Sequence, residues 1–234
     1  MPYLWAMFKP ADLFDLGQTE HAALFENCEF AWDALKRLKE YLTATLRPAL
    51  HNRCMGVAFI GERVSIGPGT VVEDGAMIKG PAIIGANCQI RHNAYIRENV
   101  IVGDDCVVGN ACELKNTVLF NRCQVPHFNY VGDSVFGFRV HLGAGVKVSN
   151  VKLVAGNVEV VFEGVTHQTG LRKFGALIGD GSEVGCNAVL NPGTVIGRKS
   201  AIYPNVNWRG VLPGGRVVKN RAKFEIVPRR EPAP

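Results

Sequence analysis

Three cationic residues at a spacing of eighteen are the first sign of chemistry in this sequence: Lys79, Arg97 and Lys115. If eighteen residues make one turn of a repeating structure, these side chains stack along one edge about 5 Å apart. Like charges at that distance repel each other, and a bound anion such as a phosphate would relieve the repulsion, with Arg97 offering a bidentate fork. The spacing therefore indicates an anion site. The alternative is a basic edge exposed to solvent.

A histidine follows this column in the stretch 124–130, where Pro126 fixes the backbone just before it. Because histidine is the side chain type that can gain or lose a proton near neutral pH, His127 beside a phosphate site is a candidate general base. The alternative is a purely structural histidine. The other histidines lack the spacing of a metal site, which disfavours a metal on this scaffold and with it a solenoid carbonic anhydrase.

A hexapeptide repeat supplies the eighteen-residue turn. Eleven successive sixth positions are aliphatic or aromatic: Ile60, Ile66, Val72, Ile78, Ile84, Ile90, Ile96, Val102, Val108, Leu114 and Phe120. The period restarts at Tyr130 and again at Ile178. Small residues stand four positions after the anchors, and Cys88, Cys106 and Cys112 are predicted to be packing residues there. A fixed six-residue period is typical of a parallel β-helix, so the sequence predicts an all-β solenoid.

Two interruptions and two flanking segments divide the chain. The rhythm shifts at 121–130 and is lost over 149–177, which predicts loops that leave the stack. Residues 1–50 carry leucines at helical spacing and are predicted to form a helical cap over the open first coil, or a docking segment for a partner. The β-helix is predicted for residues 51–208 and a basic tail for 209–234.

The overall composition is that of a soluble globular protein, with 234 residues, 47% hydrophobic and 20% charged. No apolar run is long enough to span a membrane, and the N-terminus lacks the apolar stretch of a signal peptide, so we expect a cytoplasmic protein. The net charge of +5 comes from the basic tail. Because no nucleic-acid motif accompanies that tail, a small anionic cofactor is favoured over nucleic acid as its ligand.

Several of these motifs together resemble the hexapeptide-repeat acyltransferase family. They are similar to the acetyltransferase domain of the bifunctional UDP-N-acetylglucosamine pyrophosphorylase/glucosamine-1-phosphate N-acetyltransferase, and to its short sugar-nucleotidyltransferase-like relatives. The similar region spans roughly residues 55–220, and its most specific segments are 113–115, 127–133, 143–145 and 173–180. The resemblance implies a left-handed β-helix and a homotrimer with active sites between subunits. It also implies acetyl-CoA as the acyl donor and an amino-sugar 1-phosphate as the acceptor.

On the acceptor side, the resemblance implies that four residues bind the sugar phosphate: Arg97, Lys115, Tyr130 and Lys173. It implies that His127 takes the proton as the sugar amine attacks the thioester, and that Glu113 orients this histidine.

On the donor side, the resemblance implies that five residues contact acetyl-CoA: Ala144, Asn150, Cys186, Arg209 and Arg216. The sequence departs from the family at three positions, where His141 replaces an asparagine, Val151 an aromatic residue and Cys186 a serine. The acceptor half therefore matches the family better than the donor half.

The sequence thus predicts an acetyl-CoA-dependent N-acetyltransferase acting on glucosamine or galactosamine 1-phosphate. The alternative is a non-catalytic or regulatory solenoid that binds sugar phosphates or sugar nucleotides. The three departures favour this alternative, and four retained residues oppose it: Arg97, Lys115, His127 and Asn150. A third interpretation keeps the enzyme but changes the amino sugar or lengthens the acyl group.

Overall fold

Short runs of β-branched and aliphatic residues, separated by Gly, Asn and Asp, form the strands. In the computed structural model, which describes residues 8–221 and 226–229, these strands stack into a parallel β-solenoid of about nine turns that matches a left-handed β-helix. Neighbouring turns pair in parallel, commonly eighteen residues apart, as Val64 does with Ala82. The predicted fold class is therefore confirmed.

Face A is the side built from the first strand of each turn. Its strands are Ala49–Leu50, Val64–Ile66, Ala82–Ile84, Val100–Val102, the second halves of Glu113–Leu119 and Tyr130–Phe136, then Ala176–Ile178, Thr194–Ile196 and Val211–Leu212.

Face B follows face A in each turn. Its strands are Arg53–Met55, Val71–Glu73, Gln89–Ile90, Val107–Asn110, Gln124–His127, His141–Leu142, Glu183–Val184, Ala201–Ile202 and Val217–Val218.

Face C closes the triangle. Its strands are Phe59–Ile60, Met77–Ile78, Tyr95–Ile96, the first halves of Glu113–Leu119 and Tyr130–Phe136, then Lys147–Val148, Val189–Leu190 and Asn207–Trp208.

The anchors of the repeat fill the interior, but the phase changes earlier than the sequence suggests. Leu119, not Phe120, pairs with Val102 and lies in the core, and Val131, not Tyr130, pairs with Leu114. The reason is that two strands, Glu113–Leu119 and Tyr130–Phe136, run around the corner between faces C and A in one piece. Those corners use one residue fewer, so the inward positions move back by one.

The buried cysteines are packing residues. Cys88, Cys106 and Cys112 have exposures of 1%, 1% and 0%, and their Sγ atoms contact backbone carbonyls of the next turn. Burial raises the pKa of the Cys106 and Cys112 thiols, which keeps them protonated. They are therefore inert groups of the core.

Face A carries a second apolar column on its outer side. Ile101, Val118, Val135, Leu177 and Val195 point outward and are fully buried. A strand that is covered on both sides has a continuous run of apolar residues and not an alternation of apolar and polar residues. Val100–Val102, buried at all three positions, is an example. This outer column requires a cover.

The N-terminal segment supplies most of that cover. It consists of the helices Pro10–Leu13 and Asp33–Thr45 and the 3-10 turns Leu16–Gln18 and Ala22–Phe25. The long helix buries Leu35, Leu38 and Leu42, which lie at helical spacing, in a cluster with the outer column of face A. Trp32 has no exposed surface and its ring stacks on Phe30 with centroids 4.6 Å apart.

The chain interruption at 149–177 contains an antiparallel hairpin, Glu159–Phe162 with Val165–Gln168. Val158 and Val160 join the same apolar cluster, and the Phe162 ring contacts Phe8 edge-on at 5.9 Å. The hairpin therefore completes the cover of face A next to the N-terminal segment.

This position differs from the predicted cap over the first coil. Leu50, Val57 and Phe59 at that end of the solenoid remain 55%, 81% and 55% exposed. The N-terminal segment packs on the flank instead, because the outer column of face A offers far more apolar surface than one coil end. The solenoid also continues past the predicted boundary at 208, because Val211–Leu212 and Val217–Val218 pair with the preceding turn. Of the predicted basic tail, Lys223 and Arg230 lie outside the described residues.

Candidate functional site

The eighteen-residue spacing does stack the cations. Lys79 N donates to the Ile96 carbonyl and Arg97 N to the Leu114 carbonyl, which places Lys79, Arg97 and Lys115 on successive turns. They follow the strands of face C at the corner that leads to face A. We call this corner the cationic edge. It continues through Gly132, Ser149, Asn191 and Arg209 in the turns that follow.

Carboxylates of the chain already balance this column. Arg97 Nη1 lies 2.9 Å from Glu113 Oε1, and Arg97 Nε lies 3.6 Å from Glu98. Lys79 Nζ is 3.9 Å from Glu98, and Lys115 Nζ is 3.8 Å from Asp133. The hydrogen bond that Arg97 donates to Glu113 raises the pKa of Arg97, so its guanidinium stays charged. The mutual repulsion that suggested a bound anion is therefore relieved within the protein, and an incoming phosphate would compete with these acids.

A polar cluster that the sequence did not single out surrounds Asp133. This carboxylate is 5% exposed and accepts hydrogen bonds from Asn116 Nδ2 at 2.8 Å and from Asn150 Nδ2. The Tyr130 hydroxyl donates to Asn150 Oδ1 at 3.4 Å, and burial raises the pKa of Tyr130, with smaller contributions from Glu113 and Asp133. Asn116 and Asp133 meet because the strands Glu113–Leu119 and Tyr130–Phe136 pair with an offset of seventeen residues, which the repeat of eighteen does not predict. The sequence signal that could have indicated the cluster is an acid and an amide at equivalent corner positions of two successive turns.

Lys173 and Asn150 belong to the same edge. Phe174 N donates to the Asn150 carbonyl at 2.9 Å, so the chain returns from the hairpin loop beside Asn150 with exposed Lys173 just before it. The structure thus brings the four predicted phosphate-binding residues to one edge. It also places Asn150 there, although the resemblance assigned this residue to acetyl-CoA.

His127 stands on a different corner, between faces B and C. Asn110, His127, Ala144 and Cys186 lie on successive turns there, and we call this corner the histidine edge. His127 N donates to Asn129 Oδ1 at 3.1 Å, and Gly145 N donates to the His127 carbonyl at 2.9 Å. The imidazole itself is exposed. Next to it, Phe128 has a positive φ of 53° and is 56% exposed.

Glu113 does not orient His127 in this chain. Its carboxylate is bonded to Arg97 and it faces Tyr95 and Tyr130 on face C, whereas His127 projects from the preceding corner. Within the part of the chain that the structure describes, no hydrogen bond reaches the imidazole ring. The implied role of Glu113 as the orienting acid is therefore not supported by the geometry.

A groove of about 310 Å³ runs beside the histidine edge. Its lining includes His141, Gly143, Gly185 and Cys186, and the Cys186 thiol is exposed. The two glycines keep the floor low, because a Cβ atom at Gly143 would stand 2.5 Å from the Cys186 nitrogen.

The structure separates two other residues that the resemblance assigned to acetyl-CoA. Arg209 lies at the end of the cationic edge, beside the hairpin groove lined by Glu159 and Pro192. Arg216 lies at the corner between faces A and B, where its N–H donates to Ser200 Oγ at 3.3 Å. A triangular turn distributes residues over three edges, so these two residues of the predicted basic tail lie on different edges from Cys186.

Neither a metal cluster nor a membrane-spanning helix occurs in the described ranges. No group of three or more His, Cys, Asp or Glu side chains could hold a metal ion there. None of the helices at 8–221 is long and apolar enough to cross a membrane.

Comparisons with known proteins agree with this geometry over the middle of the solenoid. Residues 78–170 match the family model described as the GMPPB C-terminal domain. A bifunctional sugar-1-phosphate nucleotidylyltransferase/acetyltransferase from Sulfurisphaera tokodaii is 38% identical over 92 residues, which cover 39% of this chain and 23% of that protein. The bifunctional protein GlmU from Methanococcus vannielii is 33% identical over 93 residues, covering 40% and 22%.

The chain therefore matches less than a quarter of the length of these relatives. Among solved structures, the UDP-N-acetylglucosamine acyltransferase from Campylobacter jejuni is 12% identical with a TM-score of 0.32, over 71% of this chain and 69% of that one. A likeness of that size adds nothing to the assignment. The resemblance predicted from the sequence is confirmed by the family model and by the relatives. Over residues 78–170, the solenoid is thus similar in sequence to the GMPPB C-terminal domain and to a sugar-1-phosphate nucleotidylyltransferase/acetyltransferase.

Proposed function

We propose that this protein is an N-acetyltransferase that moves an acetyl group from acetyl-CoA to the amine of a hexosamine 1-phosphate. The observation that carries the proposal is the pair of edges that flank face C. One presents Arg97, Lys115 and Lys173, and the other presents an exposed histidine beside a narrow groove. Relatives that bear the name acetyltransferase support the same class of reaction.

The cationic edge would hold the acceptor through its phosphate. Arg97 and Lys115 would exchange Glu113 and Asp133 for the phosphate oxygens, and Arg97 can do so with two parallel hydrogen bonds. Tyr130 and Lys173 lie along the same edge and would fix the sugar relative to the phosphate. The sugar amine would then point towards the histidine edge of a neighbouring copy.

The histidine edge would hold the donor. Cys186 lines the groove that would take the pantetheine arm, and Ala144 lies next to it on the preceding turn, so the thioester would lie near His127. The amine nitrogen forms a bond to the thioester carbonyl carbon, the bond from that carbon to sulfur breaks, and His127 accepts the amine proton and passes it to the leaving thiolate. Positioning supplies most of the acceleration, and general-base help from His127 contributes about 10²–10⁴-fold.

The two edges lie at opposite ends of face C, so one chain does not by itself bring His127 against Lys115. A homotrimer would solve this by laying the histidine edge of one copy against the cationic edge of the next. Face A is unavailable for such a contact, because the N-terminal segment and the hairpin cover it.

The test is a thiol-release assay with acetyl-CoA and glucosamine 1-phosphate, with galactosamine 1-phosphate in parallel. We expect amino-sugar-dependent release from the wild type and a loss of about 10²–10⁴-fold in kcat for His127→Ala. The matched control is His51→Ala, an exposed histidine at the far end of the solenoid, which should keep full activity. Equal rates for wild type and His127→Ala would contradict the proposed base.

A second candidate is a non-catalytic protein that binds sugar phosphates. The paired carboxylates on the cationic edge and the free-standing imidazole of His127 favour it, because both are compatible with a site that performs no chemistry. Binding of glucosamine 1-phosphate without thiol release from either sugar would support this candidate over the enzyme.

A further inference from the structure

A groove of about 500 Å³ lies at the corner between faces A and B, on the opposite side of face B from the histidine edge. Its cationic and aromatic lining comes from Arg122, Phe138, Arg139 and Lys199, and Gly181 forms the gap between the last two. A volume of this size holds a small-molecule ligand. Neither the cationic edge nor Cys186 contributes to it.

The three cations of this groove occupy costly backbone positions. Arg122, Arg139 and Lys199 have φ values of 62°, 58° and 54°, in the left-handed region that disfavours long side chains. Equivalent corner positions in other turns hold Asn87, Asp105 and Gly181, the types that tolerate this conformation. Among the described residues, these three are the only lysines or arginines with positive φ. Because all three line one groove, we infer that positive charge is needed there despite the conformational energy that the left-handed backbone costs.

Phe138 is a second departure from the pattern of this corner. In the neighbouring turns, the side-chain oxygens of Asp104, Asn121 and Asp180 accept hydrogen bonds from the backbone of the turn before. A phenyl ring cannot accept such a bond, so Asn121 N donates instead to the Gln18 carbonyl of the N-terminal segment, at 3.1 Å. The ring is half-buried and faces the groove with the guanidinium groups of Arg122 and Arg139 about 6 Å from its centre, at 5.9 and 6.0 Å.

Two of the cations keep their charge available. Arg122 Nε is 3.5 Å from Asp105. Of the two acids that line the groove, Asp180 is 3.4 Å from Arg198 Nε, and Glu183 is exposed. Arg139 and Lys199 form no salt bridge with any residue in the described ranges. Their corners are two turns apart, about 10 Å, with the side-chain-free Gly181 between them. Two long side chains can close over that gap.

We propose that this groove binds the diphosphate of a nucleotide. Arg139 and Lys199 would hold the phosphates above Gly181, and the base would stack on Phe138, where a flat ring and flanking cations favour it. The groove shares His141 and Glu183 with the groove beside Cys186, but Phe138, Arg139 and Lys199 do not line that second groove. The inference does not rest on the proposed acetyltransferase function. Two sources carry this chemistry: a sugar nucleotide and the adenosine end of CoA.

The test is calorimetric titration of the full chain with ADP and with inorganic pyrophosphate. In the double variant R139N/K199N, we expect the Kd for both probes to rise at least tenfold. Asparagine suits the left-handed corner, as Asn87 shows, so this variant should fold as well as the wild type by circular dichroism. The matched control is Arg53→Asn, an exposed cation on face B in the first turn, which should leave both Kd values unchanged.

Phe138→Leu tests the ring separately from the charges. It should weaken ADP binding and leave pyrophosphate binding unchanged. We would also titrate wild type and the double variant with UDP-N-acetylglucosamine and with CoA. The ligand whose Kd rises tenfold in the double variant is the one whose nucleotide diphosphate this groove binds. The proposal fails if wild type does not bind ADP, if the double variant binds it within twofold of wild type, or if neither larger ligand is weakened.

Discussion

Asp133 shows how single residues balance charge in the candidate site. Its buried carboxylate serves Asn116, Asn150 and Lys115 together, and through Asn150 it reaches the Tyr130 hydroxyl. A buried acid is tolerated only when its hydrogen bonds and counter-charge are supplied. This cluster therefore fixes the geometry of the cationic edge before any ligand arrives.

Replacing Asp133 with asparagine should destabilise the protein by about 1–3 kcal/mol, because Lys115 loses its counter-charge and one of the two amides loses its acceptor. Thermal unfolding followed by circular dichroism measures the change, at about 2–4 °C of Tm per kcal/mol for a chain of this size. The control is Asp105→Asn, which breaks the exposed pair with Arg122 and should cost less than about 0.5 kcal/mol. Equal shifts for the two variants would show that the Asp133 cluster is not structural.

At the scale of elements, the N-terminal segment is part of the folded core and not an appendage. It covers the outer apolar column of face A together with the hairpin, and Gln18 completes a hydrogen bond that Phe138 cannot make. His21 lies where this segment turns, with its Nδ1 3.0 Å from the Tyr41 hydroxyl. Burial lowers the pKa of His21, and nearby Glu20 and Asp104 offset only part of that effect.

The lowered pKa makes the packing of this segment sensitive to acid. The unfolded chain takes up a proton at His21 below about pH 6.5, while the folded chain resists it, so stability falls as pH drops through that range. Urea unfolding at pH 7.5 and 5.0 should show a larger loss for wild type than for His21→Gln, by up to about 1.4 kcal/mol per pH unit. His51→Gln, at an exposed histidine, should behave like wild type. Identical pH dependence in wild type and His21→Gln would refute the effect.

At the scale of the whole molecule, the separation of the two edges is the decisive feature. His127 and the groove beside Cys186 lie along the edge between faces B and C. Arg97, Lys115 and Lys173 lie along the other edge of face C, which borders face A. Since face A is covered, faces B and C are the sides left for contact between copies. A shared site between copies follows from the proposed function and this geometry.

Subunit mixing tests that arrangement. His127→Ala and Lys115→Ala should each be inactive alone, but their co-expression should restore about a quarter of wild-type thiol release, because one in four interfaces then pairs an intact histidine with an intact lysine. Co-expression of Arg97→Ala with Lys115→Ala, both on the cationic edge, is the control and should restore none. If co-expression of His127→Ala with Lys115→Ala restores no activity, the two residues do not form a site shared between copies.

The sequence by itself determined the solenoid, the stacking of the cations and the packing role of the buried cysteines. All three depend on a period of six and a turn of eighteen, and stacked turns repeat their inward and outward positions, so counting along the chain is enough. It also indicated the helix at 33–45 from its leucines. Counting by six did not predict that Leu119 and Val131 point inward. A strand that bends around a corner uses one residue fewer, and no sequence feature at that corner indicates it.

The tertiary structure alone decided what stands opposite each outward side chain. It placed the N-terminal segment on face A instead of the first coil, paired the cations with Glu98, Glu113 and Asp133, and assigned His127 and Lys115 to different edges. The physical reason is that most of these contacts join segments sixteen to more than a hundred residues apart. Their formation depends on which apolar surfaces must be covered and which charges meet, and the repeat period records neither.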